Sequence, residues 1–425
     1  MRVGLIGLGT VGGGVVDIID AHAKDFKTRA GVDIELVRFA DRNTGRFEQL
    51  GLDPARCTTD AFEVVADPDV DIIVELIGGT GVALDVCKAA LESGKHLVTA
   101  NKAIMATAGH ELLMMAQERG LSVRFEASVG GGIPIIGPLK DSLIANEISK
   151  VMGIVNGTTN YILSAMATDG LGYDEALKQA QELGYAEADP SADVDGGDAA
   201  AKIAILSSIA FNSTTTMNQV YTEGIRSVDA ADIEYAKEYG YALKLLALGQ
   251  RTPEGIDLRV HPTMIPRTYP LAHVNGVDNA IYVVGDAVGE TMFFGPGAGA
   301  GAAASAVVGD VIETARDIQN GCTRVQCTCV EELALRPIDK LRTRYYVRMV
   351  VDDKPGVLAK TASVFAAHRV SIESLIQHSD ESDGLAEIAY VTHLAYESDI
   401  QAALTEIGNL DVVQSVATVI RVEDI

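Results

Sequence analysis

Three glycines near the start of the chain, Gly7, Gly9 and Gly12, close the short buried strand read over 2–7 and lead into Val15, Val16, Ile18 and Ile19 at helical spacing. A G-x-G-x-x-G between a strand and a helix is the fingerprint of a βαβ nucleotide-binding unit. Gly7 permits the tight turn. Gly9 lets the backbone approach a pyrophosphate, and Gly12 lets helix and strand pack closely. Thr10 and Val11 lie between them at the mouth of the helix, whose free N–H groups and positive dipole end suit a phosphate. The competing reading is a glycine-rich turn that serves packing alone. The next strand, 34–40, ends in Asp41 and Arg42. An acidic residue there can bind the ribose 2′-OH of NAD, and an Arg can meet the 2′-phosphate of NADP. With both side by side, the choice stays open.

The alternation continues: strands at 71–76 and 96–99, helices at 82–93 and 109–119, each helix stopped by a glycine, Gly94 and Gly120. That order predicts an α/β fold with a doubly wound parallel sheet. Ligands of such sheets bind outside the carboxyl ends of the strands. Lys102, just past strand 96–99, is therefore placed to reach a substrate or nicotinamide, unless it is an ordinary solvated lysine.

A second lysine is more constrained. Asp193, Asp195, Asp198 and Lys202 precede the apolar run 203–211. Asp198 and Lys202 are one turn apart on one helix face, and a helix apolar nearly all round is buried. A buried ammonium needs a partner or a shifted pKa, which makes Lys202 a candidate proton donor or base. Glu187, in Gly184-Tyr185-Ala186-Glu187, adds a carboxylate suited to the amino group of an amino-acid-like ligand. Two segments read as site loops: Glu126 to Pro134, too glycine-rich for a strand interior, and Asn156 to Asn160, dense in hydrogen-bonding groups. Gly295 to Gly299 opens a second small-residue helix suited to close backbone approach.

The 425 residues hold 59 acidic against 34 basic side chains, a formal net charge of -25. Such a chain is a poor binder of nucleic acid or of an anionic membrane. Arg2, an apolar stretch and Ala21-His22-Ala23 mimic a secretion signal. The glycines, Asp17 and Asp20 break that pattern, and cleavage there would remove the fingerprint. No apolar run reaches the ~20 residues of a membrane helix. Five cysteines, an odd and sparse number, suit a reducing compartment. A cytoplasmic protein is expected. Cys322, Cys327 and Cys329 cluster, but no His lies near them in the chain and zinc wants a fourth ligand. They read as structural or incidental thiols.

Residues 322–344 read as a linker. Beyond them, strands at 345–351, 370–377, 385–393 and 412–421 and helices at 357–368 and 400–407 follow the βαββαβ order of a ferredoxin-like sandwich.

Taken together, the chain resembles the homoserine dehydrogenases. The resemblance rests on Gly-Leu-Gly-Thr-Val-Gly at 7–12, Thr-Ala-Asn-Lys at 99–102 and Glu-Ala-Ser-Val-Gly-Gly-Gly-Ile-Pro at 126–134. It continues in Asn-Gly-Thr-Thr-Asn-Tyr-Ile-Leu at 156–163 and Gly-Tyr-Ala-Glu-Ala-Asp-Pro at 184–190. Asp353 to Leu358 resembles the start of an ACT domain, a small amino-acid-binding regulatory module. The alternative for the tail is a ligand-free dimerisation domain. The resemblance implies a Rossmann-type domain over 1–134 completed by about 296–320, an α+β substrate and dimerisation domain over 135–295, the linker 321–344 and the ACT domain 345–425. It implies reduction of aspartate 4-semialdehyde to homoserine by NADP or NAD in its reduced form. Lys202 is then the proton donor, with Lys102 beside cofactor and substrate. Glu187, Asp198, Asp193 and Thr158 fall to the substrate. Gly7, Gly9, Thr10, Val11, Gly12, Asp41, Arg42, Lys102, Gly184 and Gly299 fall to the cofactor. A monovalent cation, Na+ or K+, is implied at the Glu126 carboxylate and the carbonyls of Val129, Gly131 and Ile133. A homodimer or homotetramer is expected, with an amino-acid effector, threonine first. Two rivals remain: a non-catalytic amino-acid sensor on a vestigial dehydrogenase fold, and another NAD(P)-dependent amino-acid or hydroxy-acid dehydrogenase.

Overall fold

The structure is a computed structural model that describes residues 1–322, 324–380 and 384–423. It divides into two compact units. The first holds Met1–Val151, Ala201–Gln219 and Asn279–Leu333, the second Met152–Ala200, Val220–Asp278 and Ala334–Ile425.

The first unit is built on six strands, β1 (Arg2–Ile6), β2 (Glu35–Ala40), β3 (Cys57–Thr58), β4 (Ile72–Glu75), β5 (His96–Thr99) and β6 (Val123–Arg124), in the order β3-β2-β1-β4-β5-β6. Every neighbouring pair is parallel. The strand order reverses beside β1, which puts the crevice of a doubly wound sheet at the carboxyl ends of β1 and β4. Ile72, Ile73, Val74, Leu97 and Val98 are fully buried, as strands covered on both faces must be. The helix Thr10–Arg29 packs on the helix Ala300–Asn320, so distant segments of the chain share one core with β1 and β4. Gly14 makes that approach possible: a Cβ there would lie 2.9 Å from the Ala304 Cβ. The helix predicted at 109–119 starts earlier, at Lys102, because the Asn101 side chain caps it by accepting the Ile104 N–H.

In the second unit, Tyr241–Thr252 and Gly255–Pro266 form a long antiparallel hairpin. The helices Gly157–Asp169, Tyr173–Glu182 and Ala230–Glu238 accompany it. The tail shows the predicted βαββαβ order. Its sheet runs Val413–Val422, Arg342–Asp352, Leu385–Thr392, Ile372–Asp380, all antiparallel, with the helices Val357–Ala367 and Glu397–Ile407. Tyr345, Phe365 and Tyr390 fill its core, the last two rings meeting edge-on at 5.3 Å.

The tail is tied directly to the hairpin Tyr241–Pro266. Val413–Val422 pairs in parallel with Gly255–Pro266 at Thr263↔Arg421 and Met264↔Val422. Within 334–344, Leu335 bridges to Ile256 and the Arg336 guanidinium grips both oxygens of Asp257 at 3.0 and 2.8 Å. The fully buried Asp232 accepts from Arg348 at 2.7 Å, Tyr346 at 3.1 Å and Thr418 at 3.0 Å. The module is welded to the hairpin by a shared sheet and by charge. Among the described residues, no helix is long and apolar enough to cross a membrane.

Candidate active site

In the first unit, the three fingerprint glycines divide their work. Gly7 has φ +96°, and a Cβ on it would meet the Leu76 carbonyl at 2.6 Å. A Cβ on Gly12 would lie 2.0 Å from the Gly7 oxygen, whereas one on Gly9 would meet nothing within 4 Å. Packing thus demands glycine at 7 and 12. Position 9 faces open space, the room that a phosphate approaching the backbone needs. A cavity of about 580 Å³ opens there, lined by Gly7, Gly9, Asp41, Arg42, Leu76 and Gly78 among others. The Asp41 carboxylate sits at the end of β2 and accepts the Leu8 N–H at 2.6 Å and the Asn43 N–H at 2.8 Å. Arg42 is exposed beside it. Thr10 and Val11 form the first turn of the helix.

Two residues that sequence reasoning passed over complete this crevice. Arg46 donates to the Leu8 carbonyl at 2.7 Å and the Gly9 carbonyl at 3.3 Å, setting a guanidinium against the glycine loop. Nothing in its local sequence marks it. Glu75 is fully buried at the end of β4, and burial pushes its carboxyl up. It accepts from the Thr99 hydroxyl at 2.7 Å and the Ile77 N–H at 2.7 Å, and the same Thr99 oxygen accepts the Asn101 N–H at 3.0 Å. A charge closing an apolar strand was the available signal. This relay fixes the turn that presents Lys102, exposed at the first position of its helix.

Lys202, only 9% exposed, lies inside the helix Gly197–Ala210. Asp198 lies one turn earlier on the same helix and is 6% exposed.

In the second unit, the loop 156–160 becomes a cap. Asn156 is the N-cap of the helix Gly157–Asp169 and accepts the Thr159 N–H at 2.9 Å. Its amide nitrogen donates to Asp193 at 2.7 Å and to Asp198 at 2.9 Å. Thr158 donates to the Tyr185 carbonyl at 2.7 Å, which ties the segment 184–187 to this helix. Gly184 has φ +77°, a left-handed turn that glycine adopts freely. Glu187 is exposed. Asp195 is drawn away: it pairs with Arg226 at 2.5 Å.

Returning to the first unit, Glu126 gathers the loop 126–137. Its carboxylate accepts the N–H groups of Ile135 at 2.5 Å, Ile136 at 2.7 Å and Gly137 at 2.7 Å. Gly130 and Gly131 take positive φ, so the loop around Val129, Gly131 and Ile133 coils tightly. A Cβ on Gly131 would lie 2.4 Å from the Gly297 oxygen. Gly299, at φ +121°, precedes the helix Ala300–Asn320 with nothing within 4 Å of a Cβ.

Family models match the chain in three places: homoserine dehydrogenase, NAD binding domain, over 7–126; homoserine dehydrogenase over 134–312; and ACT domain over 345–412. The chain is 47% identical over 433 residues to a homoserine dehydrogenase of Synechocystis, covering 99% of each. It is 43% identical to that of Neisseria gonorrhoeae, covering 100% of this chain and 99% of the other. The chain belongs to the homoserine dehydrogenase family. It is an NAD(P)-dependent oxidoreductase acting on a CH–OH group. The crystal structure of a homoserine dehydrogenase from Thiobacillus denitrificans superposes with a TM-score of 0.95 at 43% identity, covering 100% of this chain and 98% of that one. An archaeal homoserine dehydrogenase in complex with NADPH matches at TM-score 0.65 and 28% identity, covering 76% of this chain and 99% of that one.

Proposed function

We propose that this chain reduces L-aspartate 4-semialdehyde to L-homoserine, with the residues named above in the family's roles. The observation that carries the reading is Asn156, whose one amide binds Asp193 and Asp198. Bound NAD(P)H supplies the hydride. The Lys202 ammonium polarises the aldehyde oxygen and gives it a proton; in the reverse direction the neutral amine takes that proton back. Glu187, Asp193 and Asp198 bind the substrate's ammonium, and Thr158 orders the 184–187 turn that carries Glu187 and Gly184. Gly7, Gly9, Thr10, Val11 and Gly12 hold the pyrophosphate at the helix mouth. Asp41 and Arg42 would meet the ribose and Lys102 the nicotinamide, with Gly184 and Gly299 also assigned to the cofactor.

A monovalent cation, Na+ or K+, is held by Glu126 and the carbonyls of Val129, Gly131 and Ile133. An all-oxygen donor set suits such a hard ion. The ACT module binds an amino acid, threonine first, at the turn ahead of Val357–Ala367, and lowers activity. The division into nucleotide (1–134), substrate and dimerisation (135–295) and ACT (345–425) domains belongs to the same reading. So does a homo-oligomer: Met292 and Phe294 are exposed on the edge strand Gly289–Pro296. The free cysteines and acidic surface favour the cytoplasm.

The test is nicotinamide absorbance with homoserine, run with NAD+ and NADP+ in turn and then with threonine. Homoserine-dependent reduction of either cofactor is expected. A chain that binds the cofactors and oxidises no homoserine would be a sensor or would act on another substrate.

A further inference from the structure

The cysteine cluster acquires in space the partner it lacks in sequence. His110, on the helix Lys102–Arg119, lies 217 positions from Cys327, yet its Nδ1 is 3.3 Å from the Cys327 Sγ. One ligand atom each from His110, Cys327 and Cys329 fall within 4.8 Å of one another. All three belong to the first unit. Cys327 is buried, Cys329 half-buried and His110 exposed, so the group has a closed side and an open one. A small cavity of about 50 Å³ reaches it, lined by His110, Lys140, Thr214 and Cys329 among others. The backbone around it is held: the Cys329 thiol points to the Ser208 carbonyl at 3.7 Å, and the Lys140 ammonium ties the Gln326 carbonyl at 2.8 Å.

We propose that His110, Cys327 and Cys329 form a binding site for a thiophilic metal ion, separate from the oxygen-lined loop at Glu126. Two thiolates and an imidazole are the donors that zinc and other soft or borderline ions select, and hard cations avoid. Three protein ligands leave a fourth position, on the open side, for water or for the Thr214 hydroxyl, 3.4 Å from the His110 Nδ1. On binding, each thiol loses its proton to solvent and its sulfur lone pair is donated to the metal; nothing is oxidised or reduced. The site needs no catalytic group. It joins the Lys102–Arg119 helix to the irregular segment 324–333 and touches Ser208, near the end of the helix that carries Lys202.

The experiment uses the full-length chain, reduced and stripped with a chelator, titrated with Co2+ and then with Zn2+. Expected are one Co2+ per chain, thiolate-to-cobalt charge-transfer absorption with intense tetrahedral visible bands, and displacement by Zn2+. Cys327→Ser, Cys329→Ser and His110→Ala should each weaken Zn2+ binding by at least about tenfold, while Cys57→Ser and Cys322→Ser bind as the unaltered chain does. Circular dichroism checks that the variants are folded. Zn2+ should also raise the melting temperature of the unaltered chain and not that of folded Cys327→Ser. Absence of the charge-transfer bands, or binding that persists unweakened in the three ligand variants, would overturn the proposal.

Discussion

The Asn156 side-chain amide donates to Asp193 at 2.7 Å and to Asp198 at 2.9 Å, while its oxygen caps the helix Gly157–Asp169. One neutral residue therefore fixes two carboxylates from a different stretch of chain. Asn156→Ser keeps a cap and loses the amide donor. The KM for homoserine should rise roughly tenfold, the cost of about one charge-assisted hydrogen bond, with the KM for the cofactor little changed. Steady-state kinetics with each reactant varied in turn decides it. Equal effects on both constants would make Asn156 a general structural residue.

Arg46 predicts the opposite split. Its guanidinium binds the carbonyls of Leu8 and Gly9 in the phosphate loop. Arg46→Met should weaken NAD(P)H binding by about tenfold through loss of the charge and of the loop's anchor, and leave the homoserine KM near its original value at saturating cofactor. Fluorescence titration of the reduced cofactor measures it.

Lys244 supplies a pH test. Its ammonium is buried in the second unit, where it donates to three neutral acceptors, Asn160 at 3.1 Å, the Val274 carbonyl at 2.6 Å and Asn275 at 3.0 Å, and burial pulls its pKa down to about 8. Between about 8 and the ordinary lysine value the unfolded chain binds more protons at this site than the folded one. Stability from this group therefore rises with pH across that window, by at most about 3 kcal/mol. Below about 8 the burial penalty is fully present. Lys244→Met should lack the rise. Denaturant unfolding of both chains from pH 7 to 10 gives the difference; parallel curves would contradict it.

The shared sheet predicts what deletion of the tail does. Cutting after Arg344 removes Val413–Val422 from beside Gly255–Pro266 and takes Glu423 from the buried Arg259. It also leaves the buried Asp232 without Arg348 and Tyr346. Removing one partner of a buried charge pair costs about 3–5 kcal/mol. The shortened chain should melt well below the full one or aggregate. A truncated chain that melts at the same temperature would mean that the hairpin carries itself.

The fold was legible where local pattern dictates it. The glycine fingerprint, the alternating strands and the βαββαβ tail read directly because period, caps and turn glycines are short-range signals. Element starts were not: Asn101 moves a helix start to Lys102, a choice made by one side chain. The welding of the tail was not legible either, since Thr263↔Arg421 and Asp232–Arg348 join residues more than a hundred positions apart. For the same reason His110 could not be linked to Cys327. Lys202 and Asp198 were visible because a charge inside an apolar helix stands out. Asp195 looked equivalent, and only Arg226, from another segment, distinguishes it.

On the proposed reading, Lys202, buried in Gly197–Ala210, moves the proton. Lys202→Ala, assayed by nicotinamide absorbance with homoserine and with the preferred cofactor, measures it most directly. The expected kcat is lower by about 10²–10⁴-fold, the contribution of a positioned general acid, with cofactor affinity nearly unchanged. An alanine variant that turns over at the original kcat would contradict it.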